Sequence, residues 1–196
     1  GKGVPAALFM ARTLTHLRAE AARRASVSDI LEAVNRLLCE GNAAGMFVTL
    51  FCAVLDTDSG MLYHASAGHN PPLVVRPDGT SRFLEVGKGL GAGILESSRY
   101  AAGLTVMKPG ETLLLYTDGV TEALDPSGEL FSESRLVEVL RRLAGRAPSE
   151  LVKALNDELL AFADGAAQAD DITLLALRHD PKRIVLADVP EEALER

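Results

Sequence analysis

An α+β domain with antiparallel strands is what this sequence predicts, on three observations. Two amphipathic helical stretches open the chain, short strand-like segments separated by tight turns follow, and two more helices precede a last strand. Turns such as Asp56-Thr57-Asp58-Ser59-Gly60 and Pro77-Asp78-Gly79 are too short for a parallel crossover, so the strands they join pair antiparallel. The 47% hydrophobic content of the 196 residues is enough for one core.

Charge and cysteine usage narrow the function classes. A formal charge of −7 argues against a nucleic-acid binder, whose affinity comes from clustered Lys and Arg. Acidity suits a protein that gathers divalent cations, and it equally suits plain solubility. No apolar run reaches the roughly 18 to 20 residues of a membrane span, and nothing at the start resembles a signal peptide. Cys39 and Cys52 lack a CxxC partner and read as buried, reduced thiols of a cytoplasmic protein. The abrupt start at Gly1-Lys2-Gly3, without an initiator Met, reads as a fragment.

Val4 to Arg23 is helical by period, with Ala7, Met10, Ala11, Leu14, Leu17 and Ala21 on the expected buried stripe and Pro5 in the first turn. Ser26 to Asp29 offers an N-terminal cap for a second helix, whose buried face is Ile30, Val34, Leu37 and Leu38. Met46 to Leu55, Met61 to Ala67, Leu73 to Arg76 and Arg82 to Val86 read as successive strands. His69 stands in the Gly/Pro loop between the second and third, where a lone histidine is more often structural than catalytic. Gly87 to Gly93 contains a nominal GxGxxA fingerprint, but a strand from Tyr100 to Val106 follows where a helix is required, so these glycines read as a flexible loop.

The strand Thr112 to Thr117 delivers Asp118 to a turn in which Gly119 supplies backbone freedom. Helices over Phe131 to Leu143 and Pro148 to Phe162 come next, and Asp170-Asp171 then precedes the strand Ile172 to Leu177. Each acid alone could merely cap a turn, as Asp commonly does. Together they place carboxylates from distant parts of the chain at strand ends, which suits Mg²⁺ or Mn²⁺ held by oxygen ligands. Glu122 and Asp125 read as solvated loop acids. After Arg178, residues 179–196 read as a linker or the start of a following domain, with a short strand at Ile184 to Ala187 and a helix start at Pro190.

Five segments taken together carry a resemblance: Gly1-Lys2-Gly3-Val4-Pro5-Ala6-Ala7, Phe47-Val48-Thr49-Leu50, Ala67-Gly68-His69-Asn70-Pro71-Pro72, Tyr116-Thr117-Asp118-Gly119-Val120-Thr121-Glu122-Ala123 and Asp170-Asp171-Ile172-Thr173. In this order they resemble the motifs of the bacterial PP2C-like (PPM) serine phosphatases of the SpoIIE and RsbU group, over residues 1–178. The resemblance implies a sandwich of two antiparallel sheets flanked by helices. It implies Mn²⁺ or Mg²⁺, two ions in the full-length parent, and hydrolysis of phosphoserine or phosphothreonine on an anti-sigma-factor antagonist. Asp118 and Asp170 match metal-binding catalytic positions, Asp171 stands where the family often has Asn, and Gly1, Gly3 and Gly119 match loops near the site. The remaining metal acids of that family would lie before residue 1, so weak metal binding and weak or no turnover are expected of this chain. Gly87 to Gly93 departs from the Gly-Leu-Pro-Leu-Gly pattern frequent there. A non-catalytic module that binds a partner protein is the competing reading, and a homodimer is left open.

Overall fold

The structure, a computed structural model, describes residues 3–168 and 170–181. Two helices, α1 (Val4–Ala21) and α2 (Val27–Cys39), lead into β1 (Leu50–Leu55), β2 (Met61–Ala67), β3 (Leu73–Val75), β4 (Ser81–Phe83), β5 (Gly103–Val106) and β6 (Thr112–Tyr116). One short turn of helix, α3 (Asp118–Thr121), then α4 (Ser132–Leu143) and α5 (Pro148–Ala163), precede β7 (Leu174–Arg178). The strands form two sheets, ordered β1-β2-β5 and β4-β3-β6-β7, and every named pair is antiparallel. The expected α+β class holds. Consecutive strands do not all pair, however: the chain crosses between the sheets from β2 to β3, over Gly68–Pro72, and again from β4 to β5 and from β5 to β6.

The sheets face one another through Leu62 of β2, Val74 of β3 and Leu113 of β6, with Phe51 and Leu115 packed beside them. On the outer face of the four-stranded sheet, Leu73, Leu114 and Tyr116 meet Leu136, Leu140, Leu151, Leu155 and Leu159 of α4 and α5. Outside the other sheet, Ile30, Leu31, Val34 and Leu38 of α2 cover Ala65 and Ala67. The caps follow the sequence: Ser26 Oγ accepts from the Asp29 N–H, Pro148 opens α5, and Asp164 closes it in the left-handed region, followed by Gly165.

Four readings need correction. The buried face of α1 is Phe9, Thr13 and Glu20 rather than the Met10–Leu14 stripe, since Met10 and Leu14 are exposed. Polar groups can occupy that face because they are partnered: Thr13 Oγ1 donates to the Phe9 carbonyl, and Glu20 accepts from Arg24. The Gly87–Gly93 loop is packed rather than free. Val48 and Ala92 exchange both backbone hydrogen bonds, Asn35 accepts from the Gly93 N–H, and Asn42 donates to the Gly93 carbonyl. Cys39 and Cys52 are free but only half-buried, and burial pushes both thiols up.

The fourth correction concerns His179. It is 4% exposed, with Nδ1 2.9 Å from the Met107 carbonyl and Nε2 3.1 Å from the Thr57 carbonyl. That residue is built into the fold rather than lying in a linker. The expected strand at Ile184 to Ala187 and helix start at Pro190 lie outside the described residues, as does Gly1.

Candidate metal centre

Strand β6 sets the position of Asp118. Thr112, Leu113, Leu114 and Tyr116 are all buried, so the strand is fixed by side chains on both of its faces. Burial pushes the Tyr116 phenol up to about 12, which keeps it a neutral core residue beside the site. The next residue, Thr117, turns the apolar run into a polar junction. Its N–H donates to the Thr173 carbonyl at 3.2 Å, its hydroxyl donates to the Asp171 carbonyl at 2.8 Å, and the same hydroxyl oxygen accepts from the Thr173 N–H at 2.9 Å. One side chain thereby ties the end of β6 to the Asp170–Asp171 loop ahead of β7.

Gly119 completes that junction in a way the sequence does not announce. It sits inside the short helix α3, not at a positive-φ turn position. A Cβ built on it would lie 2.6 Å from the Asp171 carbonyl oxygen and 3.0 Å from that of Asp170. Glycine is needed here for close approach of two backbones, whatever its angles. The segments carrying Asp118 and Asp170-Asp171 are therefore in van der Waals contact at one end of the β6–β7 pair.

The three acids are exposed. Asp118 Oδ1 accepts from the Gly119 N–H at 3.0 Å, and Asp170 Oδ1 accepts from the Asp171 N–H at 2.7 Å. His69 approaches from the loop that crosses from β2 to β3. Burial lowers its pKa first, and the nearby Asp118 carboxylate works against that by favouring the imidazolium. Its Nδ1 lies 3.4 Å from Thr49 Oγ1. Gly3 stands at the N-cap of α1 in open space, with only Pro5 within 4 Å of its Cβ position. A cavity of about 150 Å³ beside Gly119 and Ile172 is lined by no titratable side chain, so the chemistry lies on the acid side of the junction.

Exposed carboxylates on fixed backbones are the donors that hard cations such as Mn²⁺ and Mg²⁺ prefer. The fit is one of kind rather than number. Among the described residues, no group of three or more His, Cys, Asp or Glu side chains converges where it could hold an ion. Thr117, Thr49 and the closeness of His69 to Asp118 were not read from the sequence. The available signal was a hydroxyl residue ending each apolar run next to an acid, Thr117 before Asp118 and Thr173 after Asp171.

Comparison with known proteins assigns the chain to a family. Residues 1–180 match the family of stage II sporulation protein E (SpoIIE). Phosphoserine phosphatase RsbU of Bacillus subtilis is 32% identical over 179 residues, which cover 91% of this chain and 52% of RsbU. The chain thus spans about half the length of that relative. The RsbU and RsbW domains of Rv1364c from Mycobacterium tuberculosis superpose with a TM-score of 0.71 at 27% identity, over 92% of this chain and 49% of that one. The SiaA-PP2C domain of Pseudomonas aeruginosa gives 0.81 at 24%, covering 92% and 72%, which supports the fold. Solved relatives of this fold include the Bacillus subtilis SpoIIE phosphatase domain presoaked with Mn and RsbX in complex with magnesium. On the match across residues 1–180, the chain belongs to the SpoIIE family of PP2C-type phosphatase domains.

Proposed function

We propose that this domain is a Mn²⁺- or Mg²⁺-dependent phosphatase of phosphoserine and phosphothreonine in a protein, acting in the cytoplasm on a phosphorylated anti-sigma-factor antagonist. The observation that carries the reading is the Thr117–Gly119 junction, which brings Asp118 and the Asp170–Asp171 loop against one another. Asp118 and Asp170 would hold the ion, with Asp171 beside them. When bound, the ion supplies Lewis acidity and lowers the pKa of water, the chemistry that a direct phosphoryl displacement needs. The chain's own residues do the rest. Thr117 holds the two acid-bearing loops in register, and His69, whose pKa burial lowers and the Asp118 carboxylate raises, would be the group to take or give a proton at the leaving alkoxide. No cysteine is involved, since both thiols are pushed away from the thiolate.

The test is Mn²⁺-dependent phosphate release by the full-length protein. Asp118→Asn and Asp170→Asn each lower kcat/KM by at least about 10²-fold, the scale of removing one charge-stabilising group. Wild-type turnover in both variants would refute the assignment. A second reading has one observation in its favour: the described residues assemble fewer than three metal-ligating side chains in any one place. On that reading the domain recognises a partner without turning it over, and binding of the phosphorylated antagonist with no phosphate release in Mn²⁺ would select it.

A further inference from the structure

The interior of the sandwich turns polar at one flank. Strands β4 and β5 are outer strands of their sheets, and a cleft of about 560 Å³ opens between them. Its walls come from both sheets. His64 and Thr105 share the inner face with Leu62: His64 stands two residues along β2 from it, and Thr105 stands opposite it on β5. Arg82 stands opposite Val74, so it too belongs to the inner face of its sheet, and Glu85 follows at the rim. Where the rest of the interface between the sheets holds Leu, Val and Met, this flank holds an imidazole, a hydroxyl and a guanidinium.

The imidazole is built in. His64 is 1% exposed, and its Nε2 lies 3.3 Å from Thr105 Oγ1. Its partner on β5 is Gly103, where an added Cβ would lie 2.8 Å from Nε2, so only glycine leaves the ring its place against that strand. Among the described residues, no polar group meets the other ring nitrogen, and neither Arg82 nor Glu85 has an ion partner within 4.0 Å. The donor set decides what fits. A guanidinium is a planar fork matched to a carboxylate, while the imidazole and the hydroxyl can each donate or accept. Glu85 accepts only and repels a second negative charge, which favours a ligand with one carboxylate and one further donor. The volume lies within the roughly 300–1,000 Å³ of small-molecule sites.

We propose that this cleft binds a small carboxylic acid that also carries a hydroxyl or an ammonium group, the class of hydroxy and amino acids, with its carboxylate on Arg82 and its second polar group on His64 and Thr105. None of these residues belongs to the acid edge, so the site stands or falls apart from the phosphatase reading. Calorimetric titration of the full-length protein in Mn²⁺ tests it with L-lactate, L-serine, propionate and inorganic phosphate. L-lactate or L-serine binds with a Kd of about 1 mM or tighter, at least about tenfold tighter than propionate or phosphate. Arg82→Ala, at an exposed position, weakens that probe by roughly 10- to 100-fold, and Thr105→Val by roughly 3- to 10-fold. Glu85→Gln separates the two sources of the chemistry: it weakens L-serine and leaves L-lactate within about twofold. The His64 ring resonances, identified by their loss in His64→Gln, shift on saturation. No saturable binding of either probe below about 10 mM overturns the proposal, as does equal affinity for propionate or phosphate. Unchanged affinity in Arg82→Ala, or binding that leaves the His64 ring unshifted, overturns it as well.

Discussion

The two sheets of this sandwich are finished to different degrees. The four-stranded sheet is sealed: β6 is buried on both faces, and α4 and α5 cover Leu114 and Tyr116 with Leu136, Leu140, Leu155 and Leu159, each 2% exposed or less. The three-stranded sheet is half covered. Helix α2 reaches Ala65 and Ala67, but the cross-strand row Val54, Tyr63 and Leu104 remains 51%, 43% and 57% exposed. The acids grow from the sealed sheet, while His69 and Thr49 come from segments attached to the half-covered one. The acids thus sit on the more fully packed sheet, and the loops beside them on the more lightly packed one.

The largest expected effect tests that difference in packing directly. Leu155→Ala, at a position with no exposure, destabilises the domain by about 2–5 kcal/mol in urea denaturation, while Leu104→Ala, on the open row, changes it by about 0.5 kcal/mol or less. Similar losses at the two sites would erase the comparison. Gly119→Ala comes next. A Cβ 2.6 Å from the Asp171 carbonyl must push the two acid loops apart, and a displacement of about 1 Å lowers turnover by about 10²-fold. Melting temperature and phosphate release are read together, and wild-type activity in this variant would show that the loop contact is not what sets the acids.

The smallest effect belongs to the inner face of the three-stranded sheet. His64 is 1% exposed, stacked on Phe51 with a ring separation of 6.0 Å, and burial lowers its pKa. Its neutral form is favoured in the folded state, so the unfolded chain binds more protons just below its ordinary pKa of about 6.5. Stability is complete above that pH, falls as pH drops toward the lower folded value, and levels off beneath it. The slope from one such group is at most about 1.4 kcal/mol per pH unit. Denaturation at pH 7.5 and 5.5 should show a shallower fall in His64→Gln than in the wild type, with His69 contributing what remains. Parallel profiles would mean that His64 does not titrate differently on folding.

What the sequence made legible follows the same division. Strand β6 and helices α4 and α5 have unbroken apolar periods and clean end signals, and they lie where the pattern put them to within a residue or two. Helix α1 misled because it carries two apolar faces. The stripe with the better spacing is exposed, and the buried one contains Thr13 and Glu20, whose partners are invisible in a hydropathy pattern. Asp118 and Asp170 stood out because acids at the ends of apolar strands are unusual, whereas the part played by Gly119 depends on a strand more than 50 residues away. Likewise, the glycines of Gly87–Gly93 looked loose because the asparagines that hold them, Asn35 and Asn42, belong to a helix and a turn far upstream.

His179 has a mechanical side. Its ring is clasped between the Met107 and Thr57 carbonyls, over Gly60, where any Cβ would collide, and it stitches the end of β7 to turns belonging to the opposite sheet. Between this clasp and Asp171 lie the five residues of β7 and the short Ile172–Thr173 approach, a nearly inextensible rod at roughly 3.3 Å per residue. Tension arriving along the backbone from beyond residue 179 is borne first by the clasp and not by the acid loop. Slackening the clasp, rather than touching the acids, is how a pull from that side would reach the register of Asp170 against Asp118.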